Sequence, residues 1–338
     1  MKIQSGRFLL TGGASLIGSH VAEQLLEAGA GEIVLFDNYA LGSPEVAAFL
    51  AQDRRVRVVR GDITRLHELL DALDGIDGVF ALAGFLTLPL SQNPGLGLDV
   101  NVRGMFNIVE ACRHRGVKKI VFSSSVATFG DPETDAVDET TPFRWHTAPP
   151  ALALYASSKI IGENLLRLYK QRYGLDYVAL RYSTVYGERQ HHRGVNALHI
   201  IESYDRIKAG ERPVIAGDGS EAHDYVYVGD VALRQSDSDG ERGVGRELSN
   251  RDRDRYLGQQ HRRDPVEADG IALEAALSRR AGQGPGDDQI DARLLARESK
   301  APARMAGACR DRGRDPPADR LGGREQPTVK PVAPERGS

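Results

Sequence analysis

Apolar and polar positions along the first 233 residues follow the periods of short buried strands and amphipathic helices. The runs RFLLT, EIVLF and VFALAG have the length of buried strands, and SLIGSHVAEQLLEAG carries apolar residues at helical spacing before a glycine. Strands and helices that alternate in this way predict an α/β fold with a parallel sheet.

The pattern changes near residue 233. The 105 residues beyond it hold one aromatic residue, Tyr256, and 19 arginines against two lysines, balanced by 19 acidic residues. Only 271–280 and 290–299 resemble helix fragments. We therefore divide the chain into 1–180, 181–233 and an atypical tail, 234–338. The tail fits a disordered polyampholyte, a nucleic-acid arm whose acidic residues cancel its charge, or an out-of-frame translation of a GC-rich gene, and the last is favoured.

Charge and composition exclude several function classes. A net charge of -3 gives no global case for binding nucleic acid or an anionic membrane. The chain has no run of eighteen apolar residues, and its N-terminus lacks the features of a signal peptide, so we expect no membrane span and a cytoplasmic protein. Cys112 is predicted to be a core residue. His191 and His192 have no further ligand at metal spacing, so no metal site is expected.

The turn after the first strand is typical of dinucleotide binding. Gly12 and Gly18 occupy the outer positions of a glycine pattern at the start of a helix, where amides such as those of Leu16 and Ile17 face an anion. This predicts a Rossmann fold, a doubly wound parallel sheet. The middle position is Ser15, whose Cβ must push a cofactor outward or turn the hydroxyl onto a phosphate.

The ends of the next strands complete the predicted nucleotide site. Asp37 ends the second strand about twenty residues after the turn, where a carboxylate accepts from the ribose hydroxyls and repels a 2′-phosphate. This favours NAD over NADP. Asp62 and Ile63 follow the third strand and suit an adenine pocket, and the small residues that end VFALAG would let a flat nucleotide lie across the strand.

A serine-tipped strand and a following helix carry the candidate catalytic groups. KKIVFSSS delivers a serine run to the carboxyl edge of the sheet, and Tyr155 and Lys159 are one turn apart on the helix that begins at YASSK. We expect the ammonium of Lys159 and a positive nicotinamide ring to lower the pKa of Tyr155 towards working pH. Lys159 would also hold the nicotinamide ribose.

The motifs TGGASLIGSH, FDN, GDI, ALAG, NVRGMFNIVEAC and VFSSSVATFG occur in the order and spacing of extended short-chain dehydrogenase/reductases. Over residues 7–233 the chain resembles the NAD-dependent epimerase/dehydratase members of that family. The resemblance implies NAD as cofactor, a UDP-sugar or related nucleotide sugar as substrate, and a homodimer formed through the helix that holds Tyr155 and the helix after Asn101.

The resemblance also assigns roles to individual residues. It makes Ser125 the third catalytic group beside Tyr155 and Lys159, with Ser123 and Ser124 as helpers. Substrate contacts are expected from Ser125, Tyr155, Thr184, Arg189 and His223, the last standing where the family has an arginine. The cofactor contacts expected from the turn, the strand ends and this resemblance are Gly12, Ser15, Leu16, Ile17, Gly18, Asp37, Asn38, Asp62, Ile63, Leu82, Ala83, Gly84, Asn101, Ser123, Tyr155, Lys159 and Tyr182.

Within this family the residues after Ser125 favour epimerisation. Family dehydratases place an Asp-Glu pair there for water elimination, whereas Val126 and Ala127 follow here. Epimerisation needs only rotation of a keto-sugar between two hydride transfers. The alternatives are a dehydratase or reductase of the same family, or an NAD-binding protein of low activity. Ser15, His223, the tail, and Leu86 in place of a family lysine favour the low-activity protein.

Overall fold

A computed structural model describes residues 1–132, 137, 141–190, 198–214, 224–237 and 246–248. Its strands are β1 (Arg7–Thr11), β2 (Glu32–Asp37), β3 (Val56–Arg60), β4 (Gly78–Ala81), β5 (Lys119–Ser125), β6 (Asp176–Tyr182), β7 (Thr184–Tyr186), β8 (Tyr225–Tyr227) and β9 (Arg246–Leu248). Its helices are α1 (Leu16–Glu27), α2 (Pro44–Leu50), α3 (Leu66–Ala72), α4 (Thr87–Gln92), α5 (Pro94–Leu98), α6 (Met105–Arg115), α7 (Pro150–Tyr173), α8 (Leu198–Lys208) and α9 (Val228–Asp237), with a π-helical segment at Asp99–Gly104 and a 3-10 segment at Val126–Phe129.

Seven described strands form one sheet in the order β3-β2-β1-β4-β5-β6-β9, and each neighbouring pair is parallel. This is the predicted doubly wound Rossmann arrangement. The strand order reverses between β1 and β4, so the carboxyl ends of these strands border a crevice where ligands bind in such sheets. The described strands β7 and β8 pair separately, also in parallel.

Helices cover both faces of the sheet because the strands bury both of their faces. Along β5, Ile120 and Phe122 pack in the same cluster as Val109 of α6 and Leu166 of α7. The intervening Val121 lies in the cluster on the other face. That second cluster includes residues of α1, α2 and α9. Continuous apolar strands such as FLLT are the expected sequence pattern for a sheet covered on both sides.

Helix α9 crosses the predicted boundary at position 233. It continues to Asp237, and its Gln235 and Ser236 are buried. Composition could not detect this continuation because both residues are polar. Beyond the helix, Arg246 of β9 pairs with Val178 of β6. The rest of the tail, including both helix-like fragments, lies outside the described residues.

None of the helices within the described residues is long and apolar enough to cross a membrane. Cys112 is buried in the core, as predicted, and burial raises the pKa of its thiol.

Candidate active site

The turn between β1 and α1 presents backbone rather than side chains to the sheet edge. Gly12 has a φ of 69°, and a Cβ there would lie 3.1 Å from the amide nitrogen of Ala83. A Cβ on Gly18 would lie 2.3 Å from the carbonyl oxygen of Gly12, so α1 reaches the turn only because position 18 carries none. The amides of Leu16 and Ile17 begin the helix and have no acceptor within it, which leaves them available to an anion.

Ser15 stands just before α1, and its hydroxyl donates to the carbonyl oxygen of Gly12 at 2.6 Å. The two outcomes that the sequence suggests for a bound cofactor, a displaced pyrophosphate or a hydroxyl turned onto a phosphate, stay predictions. A phosphate oxygen is itself an acceptor, so it cannot share the hydrogen that Gly12 already takes. The serine therefore closes the turn internally, and it would leave phosphate binding to the backbone amides.

Asp37 is buried at the end of β2, and each of its oxygens accepts a backbone amide. The amide of Ala14 lies 3.0 Å from Oδ2, and that of Tyr39 lies 2.8 Å from Oδ1. Burial raises the pKa of this carboxyl, although the two amides oppose the shift. A Cβ on Gly42 would lie 2.7 Å from Oδ2, so glycine keeps that side open. Each oxygen can accept a further bond, which suits the diol of a ribose.

Asn38 and Asp62 link the ends of β2 and β3. The Asn38 amide donates to Oδ2 of Asp62 at 3.3 Å, and Oδ1 accepts the amide and hydroxyl of Thr64 at 2.9 and 2.8 Å. Burial raises the pKa of Asp62, but these hydrogen bonds outweigh it and the pKa is lowered. Ile63 is buried, and its carbonyl accepts from Asn107 at 2.9 Å. Asp62 and Ile63, which the sequence predicts at the adenine pocket, are thus held by hydrogen bonds at the end of β3.

The segment after β4 is hydrogen-bonded to the end of β1, across the point where the strand order reverses. The amides of Leu82 and Ala83 donate to the buried hydroxyl of Thr11 at 3.1 and 3.3 Å. A Cβ on Gly84 would lie 3.5 Å from Nζ of Lys159. The sequence therefore places small residues where the ammonium needs room, but it gave no indication of the bridging role of Thr11.

Asn101 lies in the π-helical segment and braces this loop. Its Oδ1 accepts the amide of Phe85 at 2.7 Å, and its Nδ2 donates to the carbonyl of Phe85 at 3.0 Å and to Oγ of Ser158 at 3.2 Å. All three contacts are within the protein. The residue predicted to touch the cofactor thus acts here by joining the loop after β4 to α7.

The predicted catalytic residues come together at the carboxyl end of β5. Nζ of Lys159 donates to the carbonyl of Ser123 at 2.9 Å, and it lies 5.7 Å from the ring centroid of Tyr155. The side chain of Ser125 lies close enough to the Tyr155 hydroxyl to lower its pKa. Tyr155 and Lys159 are both buried, at 7% and 8% exposure. Two hydrogens of the ammonium remain after the bond to Ser123, so Lys159 has the donors that a ribose diol requires.

Burial shifts the pKa of Tyr155 and that of Lys159 in the direction that favours the neutral form of each side chain. It raises the pKa of Tyr155 to about 12, against the effect of Ser125. It lowers the pKa of Lys159 to about 8, although the charge of Glu163 opposes this. In the protein without a cofactor, burial therefore dominates the pKa of Tyr155. The lowering of this pKa by Lys159 together with a bound nicotinamide ring stays a prediction.

A buried ion pair that the sequence reasoning missed lies behind the catalytic helix. Glu163 accepts from Arg181 at 2.9 and 2.6 Å, and from the hydroxyl of Ser124 at 2.5 Å. Glu163 stands two turns after Tyr155, so these two residues and Lys159 share one face of α7. That spacing, and an arginine inside the apolar strand DYVALRY, were the available signals. The pair fixes the middle residue of the serine run.

The side chain of Ser123 belongs to a second buried network, on the other face of β5. Its hydroxyl accepts from the hydroxyl of Tyr182 and, at 3.2 Å, from Nε2 of Gln235. The same nitrogen donates to the Tyr182 oxygen at 2.8 Å. Burial raises the pKa of Tyr182, and the nearby Tyr155 raises it further. Sequence reasoning missed Gln235 because it lies past the change in composition.

Two other predicted substrate residues, Thr184 and Arg189, are held by contacts within the protein. Thr184 begins β7, and its amide donates to the carbonyl of Asp224 at 3.2 Å. Arg189 has a φ of 68°, and its guanidinium donates to Glu23 of α1 at 2.5 Å. His223 lies outside the described residues. The structure thus ties Arg189 to the cofactor-side helix.

His20, to which the sequence gave no role, lies on α1, the helix whose Glu23 accepts from Arg189. Its Nδ1 lies 2.9 Å from the carbonyl of Leu16, and its Nε2 lies 3.8 Å from Glu188. Glu188 also accepts from the hydroxyl of Tyr227 at 2.7 Å. The contact with His20 lowers the pKa of Glu188 to about 2. Helix α1 is therefore joined twice to the turn after β7.

Within the described part of the chain, no group of three His, Cys, Asp or Glu side chains could hold a metal ion. His191 and His192 lie outside it.

Comparison with known proteins identifies this arrangement. The family model described as NAD dependent epimerase/dehydratase family matches residues 8–233. The UDP-glucose 4-epimerase of Lacticaseibacillus casei is 36% identical over 239 residues, 65% of this chain and 68% of the relative. The chain belongs to the NAD-dependent epimerase/dehydratase family.

Solved structures of the family agree in fold. The UDP-glucose 4-epimerase of Thermus thermophilus, in complex with NAD, has a TM-score of 0.59 and 35% identity over 69% of this chain and 74% of its own. A dTDP-glucose 4,6-dehydratase double mutant from Streptomyces venezuelae, with NAD bound, has a TM-score of 0.62 and 26% identity over 72% and 75%. Epimerases and dehydratases are thus both among the relatives, and the cofactor is NAD.

The residues of this chain fit that cofactor. The positive φ of Gly12 and the absence of a Cβ at Gly18 leave a turn lined by amides for the pyrophosphate. Asp37 offers two carboxylate oxygens to a ribose, and Lys159 has unused donors beside Tyr155. The turn follows β1, Asp37 ends β2 and Lys159 contacts the end of β5, so these groups border one edge of the sheet.

Proposed function

We propose that the protein epimerises a nucleotide-diphosphate sugar, most simply a UDP-sugar, through a transient keto-sugar. One observation carries the proposal: Tyr155 and Lys159 are buried together against the end of β5, with the side chain of Ser125 close to the Tyr155 hydroxyl. A proton acceptor, a hydroxyl donor and a cation for the ribose would then lie at the edge where the nucleotide turn also opens.

The residues would divide the work as follows. Lys159 holds the nicotinamide ribose, while its bond to the Ser123 carbonyl fixes the ammonium. Ser125 donates to the reacting sugar oxygen, and Tyr155 accepts the proton from that hydroxyl and later returns it. NAD supplies the hydride acceptor and, on return, the donor. The sugar loses a proton and a hydride together and becomes a ketone. The keto-sugar then rotates in the site and regains the hydride and the proton.

The pKa of Tyr155 makes proton transfer dependent on the cofactor. A phenol with a pKa of about 12 is a poor base at neutral pH. A positive ring bound beside it would stabilise the phenolate, and Lys159, with a pKa of about 8, stays mostly charged at pH 7. The site is then reactive mainly when the oxidised cofactor is present.

The segment after Ser125 supports epimerisation over water elimination. It is the 3-10 turn Val126–Phe129, which opens with an amide bond from Ala127 to the Ser125 hydroxyl at 3.1 Å. None of its four residues is a carboxylic acid. A dehydratase needs an acid and a base to remove water, whereas an epimerase needs only the groups already described.

We further propose a cytoplasmic homodimer. The outward faces of α6 and α7 expose Phe106, Ile161 and Leu168 at 44%, 41% and 44%. Ile161 and Leu168 are two turns apart on α7, so they lie on one stripe. An apolar stripe on two adjacent helices is suited to packing against its own copy.

A second candidate is an NAD-binding protein with little turnover. Ser15, whose side chain closes the glycine turn on itself, and Leu86, which offers no charge to a pyrophosphate, favour it.

One experiment separates the two. The purified full chain is scanned for bound NAD(H), then incubated with UDP-glucose or UDP-galactose. Bound cofactor with interconversion of the two sugars supports the epimerase. Bound cofactor without conversion of either sugar supports the binder and overturns our proposal for these substrates, and absence of cofactor binding overturns both.

A further inference from the structure

Gln235 lies outside the part of the chain that matches the family model, yet it is completely buried beside the active site. A buried amide is costly unless its hydrogen bonds are made. Its Nε2 lies 2.8 Å from the Tyr182 oxygen and 3.2 Å from the Ser123 hydroxyl. The side chain therefore spans from α9 to the ends of both β5 and β6.

The hydrogen bonds among these three groups leave one hydroxyl hydrogen over. An amide nitrogen only donates, and the Tyr182 and Ser123 oxygens lie too close together to take the two diverging hydrogens of Nε2, so they share one of them. The Tyr182 hydroxyl, which accepts from Gln235, donates its own hydrogen to Ser123. Ser123 therefore accepts from both neighbours, and the hydrogen of its own hydroxyl is not used among the three groups.

The position of Ser123 gives that hydrogen a function. The carbonyl of the same residue holds Lys159, and Tyr182 is close enough to Tyr155 for the latter to raise its pKa. The hydrogen-bonded set of Ser123, Tyr182 and Gln235 therefore lies directly beside the catalytic pair. A donor at this place lies next to Lys159 and Tyr155.

We propose that Gln235 is a positioning residue: its amide orients the hydroxyls of Ser123 and Tyr182 so that Ser123 donates a hydrogen bond to the nicotinamide end of NAD. This rests on the proposed function in one respect, that NAD binds beside Lys159. It assigns a role in the cofactor site to a residue past position 233, where the composition of the chain changes.

The test measures the dissociation constant of NAD(H) by fluorescence titration of the full chain. Gln235→Leu removes the hydrogen that Gln235 donates to Tyr182 and Ser123, and we expect about tenfold weaker binding, the usual effect of one lost hydrogen bond to a ligand. Ser236→Ala is the matched control, because that neighbouring hydroxyl is also buried but donates within its own helix, to Leu233 at 2.8 Å. The control should bind as the wild type does.

Gln235→Glu supplies a second measurement, whose pH dependence would not be expected if Gln235 had a purely structural role. Ionised glutamate only accepts, so it would turn the Ser123 hydrogen inward, whereas protonated glutamate can still donate. We expect its binding defect, relative to wild type at each pH, to grow as pH rises. This variant also covers the case in which Gln235→Leu does not fold.

In the background of Tyr182→Phe, the further effect of Gln235→Leu should shrink, because the two residues act through one network. The inference fails if folded Gln235→Leu binds NAD(H) within twofold of wild type, if Ser236→Ala weakens binding equally, or if the Gln235→Glu defect is independent of pH. If the wild-type protein itself binds no NAD(H), the proposed function fails as well.

Discussion

The buried ion pair of Glu163 and Arg181 should contribute far more to the free energy of unfolding than an exposed ion pair between the same two elements. The pair joins α7 to β6, its side chains are 3% and 1% exposed, and its two bonds measure 2.9 and 2.6 Å. Glu163→Gln preserves shape but removes the carboxylate charge that makes both bonds to the buried guanidinium. Removing one partner of a buried pair costs about 3–5 kcal/mol of unfolding free energy.

The same two elements supply a matched control. Lys170 of α7 and Asp176 of β6 form an ion pair of 2.7 Å, but their side chains are 34% and 41% exposed. Exposed pairs contribute about 0–1 kcal/mol because water screens the charges. Asp176→Asn should therefore change the unfolding free energy by less than about 1 kcal/mol.

Urea unfolding followed by far-UV circular dichroism measures both variants in NAD-free protein at one concentration. The double variant Glu163→Gln with Arg181→Met should recover much of the loss, since no unpaired charge remains buried. Equal, small effects of Glu163→Gln and Asp176→Asn would refute the reasoning, because burial would then not determine the strength of the pair. Failure of the double variant to recover stability would locate the loss in packing instead of charge.

Three further predictions test the site and its surroundings. Gly18→Ala should abolish NAD binding, because its Cβ would lie 2.3 Å from the Gly12 carbonyl oxygen. The control Gly95→Ala should bind NAD normally, because the atom nearest to its Cβ is 3.8 Å away. Equal NAD titration curves for the two variants would contradict this. The folded pKa of Lys159, about 8, lies below the ordinary lysine value of 10.5, so the folded state binds fewer protons between these values and gains stability as pH rises through them. Between pH 7 and 9.5, NAD-free wild type should gain about 2 kcal/mol relative to Lys159→Met in urea unfolding, and a constant difference would contradict the shift. Ile161→Glu should convert the proposed dimer to a monomer in light scattering, with Lys170→Glu on the same helix as the control, and a dimer that survives Ile161→Glu would exclude this stripe as the interface.

The sequence predicted the sheet and the nucleotide turn well, because both follow from local requirements. Strands buried on both faces must be continuously apolar, and a helix that starts against a strand end needs Gly18. The spacing of Tyr155 and Lys159 likewise follows from the period of a helix. These features depend on residues close together in the chain.

Other features arise only when distant segments meet. Gln235 reaches Ser123 across 112 positions, and nothing in its polar surroundings indicates burial. The raised pKa of Tyr155 depends on how completely the fold excludes water from it, which no residue spacing states. The pairing of Arg189 with Glu23 spans 166 positions. Sequence reasoning could name the arginine but not the carboxylate that holds it.

The central claim is that Tyr155 moves the proton in an NAD-dependent reaction on a nucleotide sugar. Its most direct test compares Tyr155→Phe with wild type in the conversion of UDP-galactose to UDP-glucose, with NAD affinity measured in parallel. The account predicts a loss of about a thousandfold in turnover, as expected when a proton-transferring group is removed, with NAD binding within about twofold. A Tyr155→Phe enzyme that retains most of its turnover would contradict it.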